Sequence, residues 1–251
     1  MYFGTIIYFM EMIQNIVEYY DELYPITESQ KKFFNKLSTG YHDPVKFLRV
    51  GCGAGLFEHL LAREGKDVTG IEHSPELLRS ANLRRRNQLM SIRFFQMSIL
   101  DMTRFLGKGF YNVIYSLDSR IVFIHDKTLM RKFFFDCRQL ISENGTLVLT
   151  LHNFNQLSKG VNELPTRESV RTKLFSYISI QTDGQWVMDQ EVETGNGKIL
   201  PVLQKEEIYP LTPDEITLFA KEAGFSQVSL FSDFELSPFT GKEQSVLAVI
   251  Q

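Results

Sequence analysis

The segment Phe47-Leu48-Arg49-Val50-Gly51-Cys52-Gly53-Ala54-Gly55 runs an apolar strand pattern into three alternating glycines and then directly into a helical pattern. Gly51 and Gly53 can take a positive φ and let the backbone approach a ligand, while Gly55 lets the following helix pack closely. The helix start offers free N–H groups to a carboxylate or another polar atom. A dinucleotide fingerprint reads G-x-G-x-x-G, whereas here the third glycine comes one residue earlier, which favours a nucleoside ligand without a pyrophosphate. Gly70-Ile71-Glu72-His73-Ser74-Pro75 then places Glu72 at the end of the next strand pattern, 17 residues after Gly55. A carboxylate there can accept both hydroxyls of a ribose. Alone, the glycines read as an ordinary strand-to-helix turn and Glu72 as a solvated charge; together they describe a nucleoside site.

The rest of the chain must hold these groups in place. Residues 11–24 carry Ile13, Ile16, Val17, Tyr20, Leu23 and Tyr24 at helical spacing, and Pro25 ends the pattern. A second helix is predicted from Thr27 and Gln30, in capping-box spacing, with Phe33, Phe34 and Leu37 on its apolar face. From Val45 short apolar runs alternate with helical segments, the pattern of a parallel sheet covered on both faces. Strands are predicted near 46–50, 67–71, 92–96, 111–117 and 145–151, with helices near 55–64, 75–87 and 126–141. Leu56, Phe57, Leu60 and Leu61 should face inward on the first of these helices, and Leu129, Phe133, Cys137 and Leu140 on the last.

After His152 the pattern becomes three alternating stretches, 174–182, 185–194 and 199–209, broken by Asp183-Gly184 and Gly195-Asn196-Gly197, which reads as an inserted antiparallel meander. Thr212-Pro213-Asp214-Glu215 is a capping box opening a further helix, and strands near 226–232 and 245–250 complete the sheet. The expected organisation is a helical cap over 1–40, a core of 41–153 and 211–251, and an inserted β region over 154–210 that covers the substrate.

Composition narrows the function classes. With 251 residues, 43% hydrophobic, one core suffices. A net charge of -3 argues against a partner held through phosphates, and against nucleic acid in particular. Cys52 and Cys137 are poor material for a disulfide framework and suit a reducing compartment, so a cytoplasmic location is expected. The apolar opening, residues 1–12, lacks a cationic flank, is too short to span a bilayer and soon meets Glu18, Asp21 and Glu22. Met10 and Met12 stand just before the first helical pattern, so residues 1–9 read as an upstream extension that adds little to the fold. His42, His59, His73, His125 and His152 show no ligand spacing with cysteine or carboxylate, and no metal site is expected.

Val50-Gly51-Cys52-Gly53-Ala54-Gly55, Gly70-Ile71-Glu72-His73-Ser74, and Tyr209 through Thr212-Pro213-Asp214-Glu215 to Ala223-Gly224-Phe225 together resemble the class I S-adenosylmethionine-dependent methyltransferases, over residues 13–251. The likeness is greatest to the small-molecule branch, the amino-sugar and glycine N-methyltransferases, which share a Tyr-Asp near the start (here Tyr20-Asp21) and a β insertion after the fifth strand. The resemblance implies an α/β, Rossmann-like, doubly wound sheet of seven strands with the last antiparallel. It also implies S-adenosylmethionine as cofactor. Gly51, Cys52, Gly53 and Gly55 would line its methionine and ribose portions, Glu72 and His73 the ribose, Ser98 and Ile99 the adenine edge, and the Leu117 carbonyl its amino group. Tyr20 or Tyr24 would bond the methionine carboxylate, with simple core packing the equal alternative. Two positions depart from the family: relatives carry an acid where Arg49 stands and an aspartate where Ser98 stands. Arg49 cannot accept a hydrogen bond, although it could pair with the methionine carboxylate or with Asp118.

Methyl transfer from a sulfonium is an in-line displacement, so the protein has chiefly to align two atoms and exclude water. Where the acceptor carries a proton, a base helps, and Asp118 and His152 at the ends of the fourth and fifth strands are the candidates. Against these stand plainer roles: His152 as a loop histidine with a backbone partner, and Asp118 paired with Arg120. His125-Asp126 reads as the cap of the next helix, and Arg84-Arg85-Arg86 as a solvated helix end. Three readings remain at this point: a small-molecule methyltransferase, a cofactor-binding relative without activity, and a methyltransferase of RNA or protein.

Overall fold

The computed structural model describes residues 12–84 and 91–251. The expectations for residues 1–9 and for Arg85 and Arg86 lie outside them. The first five strands are β1 (Lys46–Val50), β2 (Asp67–Glu72), β3 (Ile92–Gln96), β4 (Tyr111–Ser116) and β5 (Ile141–His152). Five inserted strands follow, β6 (Val161–Glu163), β7 (Arg167–Glu168), β8 (Thr172–Ile180), β9 (Trp186–Thr194) and β10 (Ile199–Glu207), before β11 (Val228–Phe231) and β12 (Ser245–Ile250). The main sheet has the order β11-β12-β5-β4-β1-β2-β3. β12 is antiparallel to β5 and β11, and all other neighbours are parallel. The sheet is therefore the Rossmann-like one expected.

Its strands are apolar on both faces because helices cover both. On one side α1 (Glu28–Ser38) and α2 (Leu56–Arg63) bring Phe33, Phe34, Phe57 and Leu61 against Phe47, Val113 and Tyr115. On the other, α4 (Lys127–Leu140) and α5 (Pro213–Glu222) bring Phe133, Phe134 and Phe219 against Leu48, Ile114 and Leu147. Between them in sequence runs α3 (Pro75–Leu83), capped by the Ser74 hydroxyl. The sheet's rim is set by such caps: Thr27 accepts from Gln30, Asp126 from Leu129, and Thr212 with Glu215 forms a full capping box.

Four differences from the sequence reading have local causes. The first helical segment breaks at residues 18–19, between a helix over 12–17 and Tyr20–Leu23, and the break turns Tyr20 and Leu23 into the core. β5 begins at Ile141, with a register shift where Asn144 takes a positive φ. On α2 the buried set is Phe57, Glu58, His59, Leu61 and Ala62, while Leu56 and Leu60 are only half-buried; two polar side chains take inward positions. Arg84 is not a solvated helix end, since it pairs with Asp21.

β6, β8, β9 and β10 form a second sheet, with β7 paired to β8. Alternate residues Thr172, Leu174, Ser176 and Ile178 of β8 are buried, so one face is turned inward. This sheet holds the first helical segment: Arg171 Nε donates to Glu22 Oε1 at 2.9 Å and its Nη1 lies 3.2 Å from Glu18, while Asn15 donates to the Pro201 carbonyl at 2.8 Å. No helix among the described residues is long and apolar enough to cross a membrane.

Candidate active site

The carboxyl ends of β1 and β2 carry the glycine turn and Glu72. Gly51, Gly53 and Gly55 have φ of 71°, 57° and 73°. A side chain at Gly55 would meet Phe94 at 2.7 Å and Ala81 at 3.0 Å, so this glycine does allow close packing. At Gly53 a Cβ would stand 2.4 Å from the phenol end of Tyr20, and at Gly51 it would stand 3.0 Å from Arg120 Cβ. The space these two glycines leave is thus taken by the chain's own side chains.

Glu72 is 6% exposed and its carboxylate ties the turn together. One oxygen accepts from the Gly53 N–H at 2.8 Å, and the other from those of His73 and Ser74 at 2.9 and 3.0 Å. Arg120 Nη2 lies 3.8 Å away. A carboxylate offers about four acceptor positions, so three backbone donors leave room for about one more. The expectation that it accepts both ribose hydroxyls is thereby narrowed. The side chain of His73 is exposed, and its contribution here is the backbone N–H.

Tyr20 and Tyr24 stack at 4.6 Å between ring centres. The Arg120 guanidinium lies over the first ring and that of Arg167 over the second, at 5.9 and 4.3 Å. Burial pushes the Tyr20 hydroxyl well above its ordinary pKa, with Arg120 opposing, so it remains a donor. Asp118 and Ser119, directly after β4, both adopt left-handed backbone conformations, with φ of 57° and 58°. They are held by the Asp118 N–H on Thr150 Oγ1 and the Ser119 N–H on the Thr150 carbonyl, both at 2.9 Å. The Leu117 carbonyl accepts from the Arg120 N–H at 3.2 Å, which leaves it one lone pair for a ligand.

Asp118 does not pair with Arg120. It receives a hydrogen bond from Arg167 at 2.9 Å and faces Arg49 at 3.8 Å. Arg49, buried beneath the turn, also faces Glu58 at 3.6 Å, and Glu58 accepts from the Tyr115 hydroxyl at 2.7 Å. Such buried charges are tolerable only because each has an opposite charge beside it. His152 sits at the end of β5, its backbone N–H on Ser119 Oγ at 2.9 Å. Burial and the Arg167 charge lower its pKa to about 4 against the pull of Asp118, so its imidazole is neutral at physiological pH.

These residues border two cavities. One, of about 360 Å³, is bordered by Tyr20, Gly51, Glu72, Ser98 and Ile99, and by Val202 and Leu203 of β10. Ser98 caps the short 3₁₀ turn Ile99–Asp101, accepting from Leu100 at 3.2 Å. The other, of about 240 Å³, is bordered by Asp118, Arg120, His152, Arg167, Ser176 and Gln190. Tyr24, Arg120, Phe123 and Gln190 line both. No group of three or more His, Cys, Asp or Glu among the described residues is placed to hold a metal. Sequence reasoning missed Glu58 and Arg167: the first is a charge inside an apolar helix, and the second lies in a segment with no motif.

Residues 47–145 match the methyltransferase domain family. The glycine/sarcosine N-methyltransferase of Aphanothece halophytica is 23% identical over 236 residues, which cover 90% of this chain and 83% of that protein. Two other curated methyltransferases align over 114 residues only, 45% and 44% of their own lengths. Among solved structures, the CcbJ methyltransferase of Streptomyces caelestis superposes with a TM-score of 0.76 at 18% identity, covering 94% of this chain and 95% of that one. A SAM-bound amino pentose methyltransferase of Micromonospora echinaspora gives 0.67 at 17%, covering 94% and 97%.

Proposed function

We propose that this chain, a class I S-adenosylmethionine-dependent methyltransferase by its fold and its matched domain, methylates a nitrogen or oxygen of a small molecule held under the inserted sheet. The observation that carries this is the meeting of two compartments at Tyr24 and Arg120. The larger has the glycine turn, Glu72 and Ser98, which suit an adenosine. The smaller is lined by polar groups and sized for a compact acceptor. The glycine/sarcosine and amino pentose methyltransferases among the similar proteins favour an acceptor of that size.

The cofactor residues fit. Glu72 keeps an acceptor position at the ribose, Ser98 retains a hydroxyl at the far end, and Tyr20 and Tyr24 offer phenol donors between. When bound, the cofactor would supply a methyl group on a sulfonium: an acceptor nitrogen or oxygen lone pair would form a bond to that carbon in line as its C–S bond breaks, with S-adenosylhomocysteine as the leaving group. Arg167 and Asp118 fix the floor of the smaller pocket, and the inserted sheet excludes water. We assign proton acceptance to His152 or Asp118: the first presents a neutral imidazole, the second a carboxylate beside Arg167 and Arg49. The free state of Cys52 and Cys137 fits a reducing, cytoplasmic setting.

The test is calorimetric titration with S-adenosylmethionine, followed by an assay for S-adenosylhomocysteine release with amino acids, amino sugars and small alcohols. Binding followed by release with a small acceptor is expected. Binding without transfer to any acceptor would favour an inactive relative, and transfer only to RNA or protein would replace the acceptor class.

A further inference from the structure

The inward face of the inserted sheet is apolar at its centre, with one exception. Leu174 of β8 stands opposite Val192 of β9, and Ile178 opposite Met188, all of them at most 4% exposed. Between these two rungs the facing residues are Ser176 and Gln190. Directly paired residues point to the same side of a sheet, so this polar rung faces inward with its apolar neighbours. A hydroxyl and an amide set there cost stability unless their hydrogen bonds are met. Gln190 Nε2 donates to Ser176 Oγ at 2.8 Å, which fixes the amide, but Gln190 Oε1 has no partner among the described residues. Gln190 also stands where the two compartments meet, bordering both with Tyr24, Arg120 and Phe123. Arg120 can only donate and Phe123 does neither. With Tyr24 serving the cofactor as a donor, the Gln190 carbonyl is the acceptor left at the meeting point.

We propose, resting on the methyltransferase reading above, that Gln190 selects the acceptor: its Oε1 receives an N–H of the nucleophile, which narrows the substrates to primary and secondary amines. The nitrogen, neutral when it reacts, gives its lone pair to the bond with the methyl carbon. The C–S pair passes to sulfur, S-adenosylhomocysteine leaves, and the nitrogen takes the positive charge. One N–H stays on Gln190 throughout. From a primary amine the surplus proton passes to His152 or Asp118 and on to water, and from a secondary amine the product departs as its ammonium. A hydrogen bond to a charged group is the stronger kind, so this contact tightens as the charge develops. An alcohol has a single proton, which the base must remove, and its oxygen then turns lone pairs toward the carbonyl. A tertiary amine has no hydrogen to give, and a site built around a hydrogen bond rejects the analogue that lacks it.

The experiment measures transfer to glycine, sarcosine and N,N-dimethylglycine, and to ethanolamine with its N-methyl and N,N-dimethyl derivatives. Mass spectrometry locates the new methyl group, and calorimetry reads S-adenosylhomocysteine affinity. Wild-type protein should methylate the primary and secondary members of at least one series at nitrogen and leave the tertiary member untouched. Gln190→Met, of similar size but without the acceptor, should lose about 10- to 150-fold in kcat, with KM changing less and S-adenosylhomocysteine affinity holding within about twofold. Gln190→Glu restores an acceptor, to which the Ser176 hydroxyl can turn and donate, and should recover most of the rate. A space-filling role would give the reverse order, since methionine packs among Leu174, Ile178 and Val192 better than a charge does. Transfer to a tertiary amine or to oxygen, a Met variant as fast as wild type, or a Glu variant as slow as the Met variant overturns the inference and leaves the methyltransferase reading standing. So does cofactor binding without transfer to any of these amines. Wild-type protein that does not bind S-adenosylhomocysteine overturns both.

Discussion

Replacing Glu72 by glutamine is a demanding test of the site, because it keeps the shape and removes one acceptor. The carboxylate takes hydrogen bonds from three backbone N–H groups, those of Gly53, His73 and Ser74. A glutamine oxygen can keep the last two, but its NH2 group then faces the Gly53 N–H, which stood 2.8 Å from the carboxylate oxygen. Donor meets donor. The loss is one charge-assisted bond, about 1.5–3 kcal/mol, and a buried N–H left unmet, about 1–3 kcal/mol. The lower desolvation cost of a neutral amide offsets part of this, so a net destabilisation of about 2–4 kcal/mol is expected. The freed turn should also bind S-adenosylhomocysteine at least about tenfold more weakly. Urea denaturation and calorimetry read the two effects separately. A Glu72→Gln protein as stable as wild type, with unchanged affinity, would refute the claim that Glu72 holds the glycine turn in its ligand-ready form.

Gly53→Ala should abolish cofactor binding and cost at least about 1 kcal/mol, since its Cβ would fall 2.4 Å from Tyr20 at a φ of 57°; a folded variant with normal affinity would place the ligand elsewhere. The His152 pKa, lowered to about 4, means that the unfolded chain binds this proton first as pH falls, so its contribution is complete above about 6.5 and is lost between there and about 4. That loss should be about 3 kcal/mol and should vanish in His152→Gln; an imidazole NMR titration centred near 6.5 would contradict it. Arg167→Ala removes the partner of Asp118 and the cation over Tyr24, so transfer should slow about tenfold or more while S-adenosylhomocysteine affinity holds. Because Arg167 is about a third exposed, its removal should cost less than about 1 kcal/mol of stability, and a larger loss would assign it to the fold instead.

The core strands and helices were legible because their apolar spacing follows the local geometry of each element. The glycine turn and Glu72 were legible because positive-φ positions at one strand end and a carboxylate at the next demand particular residue types. Tyr20, Tyr24, Asp118 and His152 could be named as candidates, and Arg49 as a neighbour of Asp118, but the contact with Arg167 could not. Asp118 finds Arg167, 49 residues onward, through the fold of the inserted sheet, and no local pattern encodes such a pair. Glu58 was hidden for the opposite reason: helical periodicity assigns a charge to the solvent side, whereas Arg49 on the adjoining strand draws it inward. The three-strand meander was visible from its turns, yet the short strands β6 and β7 carry too few alternating residues to register.

The clasp between the first helical segment and the inserted sheet also bears on how the chain is made. Glu22 finds Arg171 only after another 149 residues have been added. At roughly 5–20 residues per second, that is a wait of roughly 8–30 s on the ribosome. Through that interval Ile13, Ile16 and Leu23, which end in the core, have no inserted sheet to shelter them. A segment made well before the inserted sheet is thus among the last to settle. A nascent chain stalled before Arg171 should expose this segment to proteases and chaperones even with the glycine turn already formed.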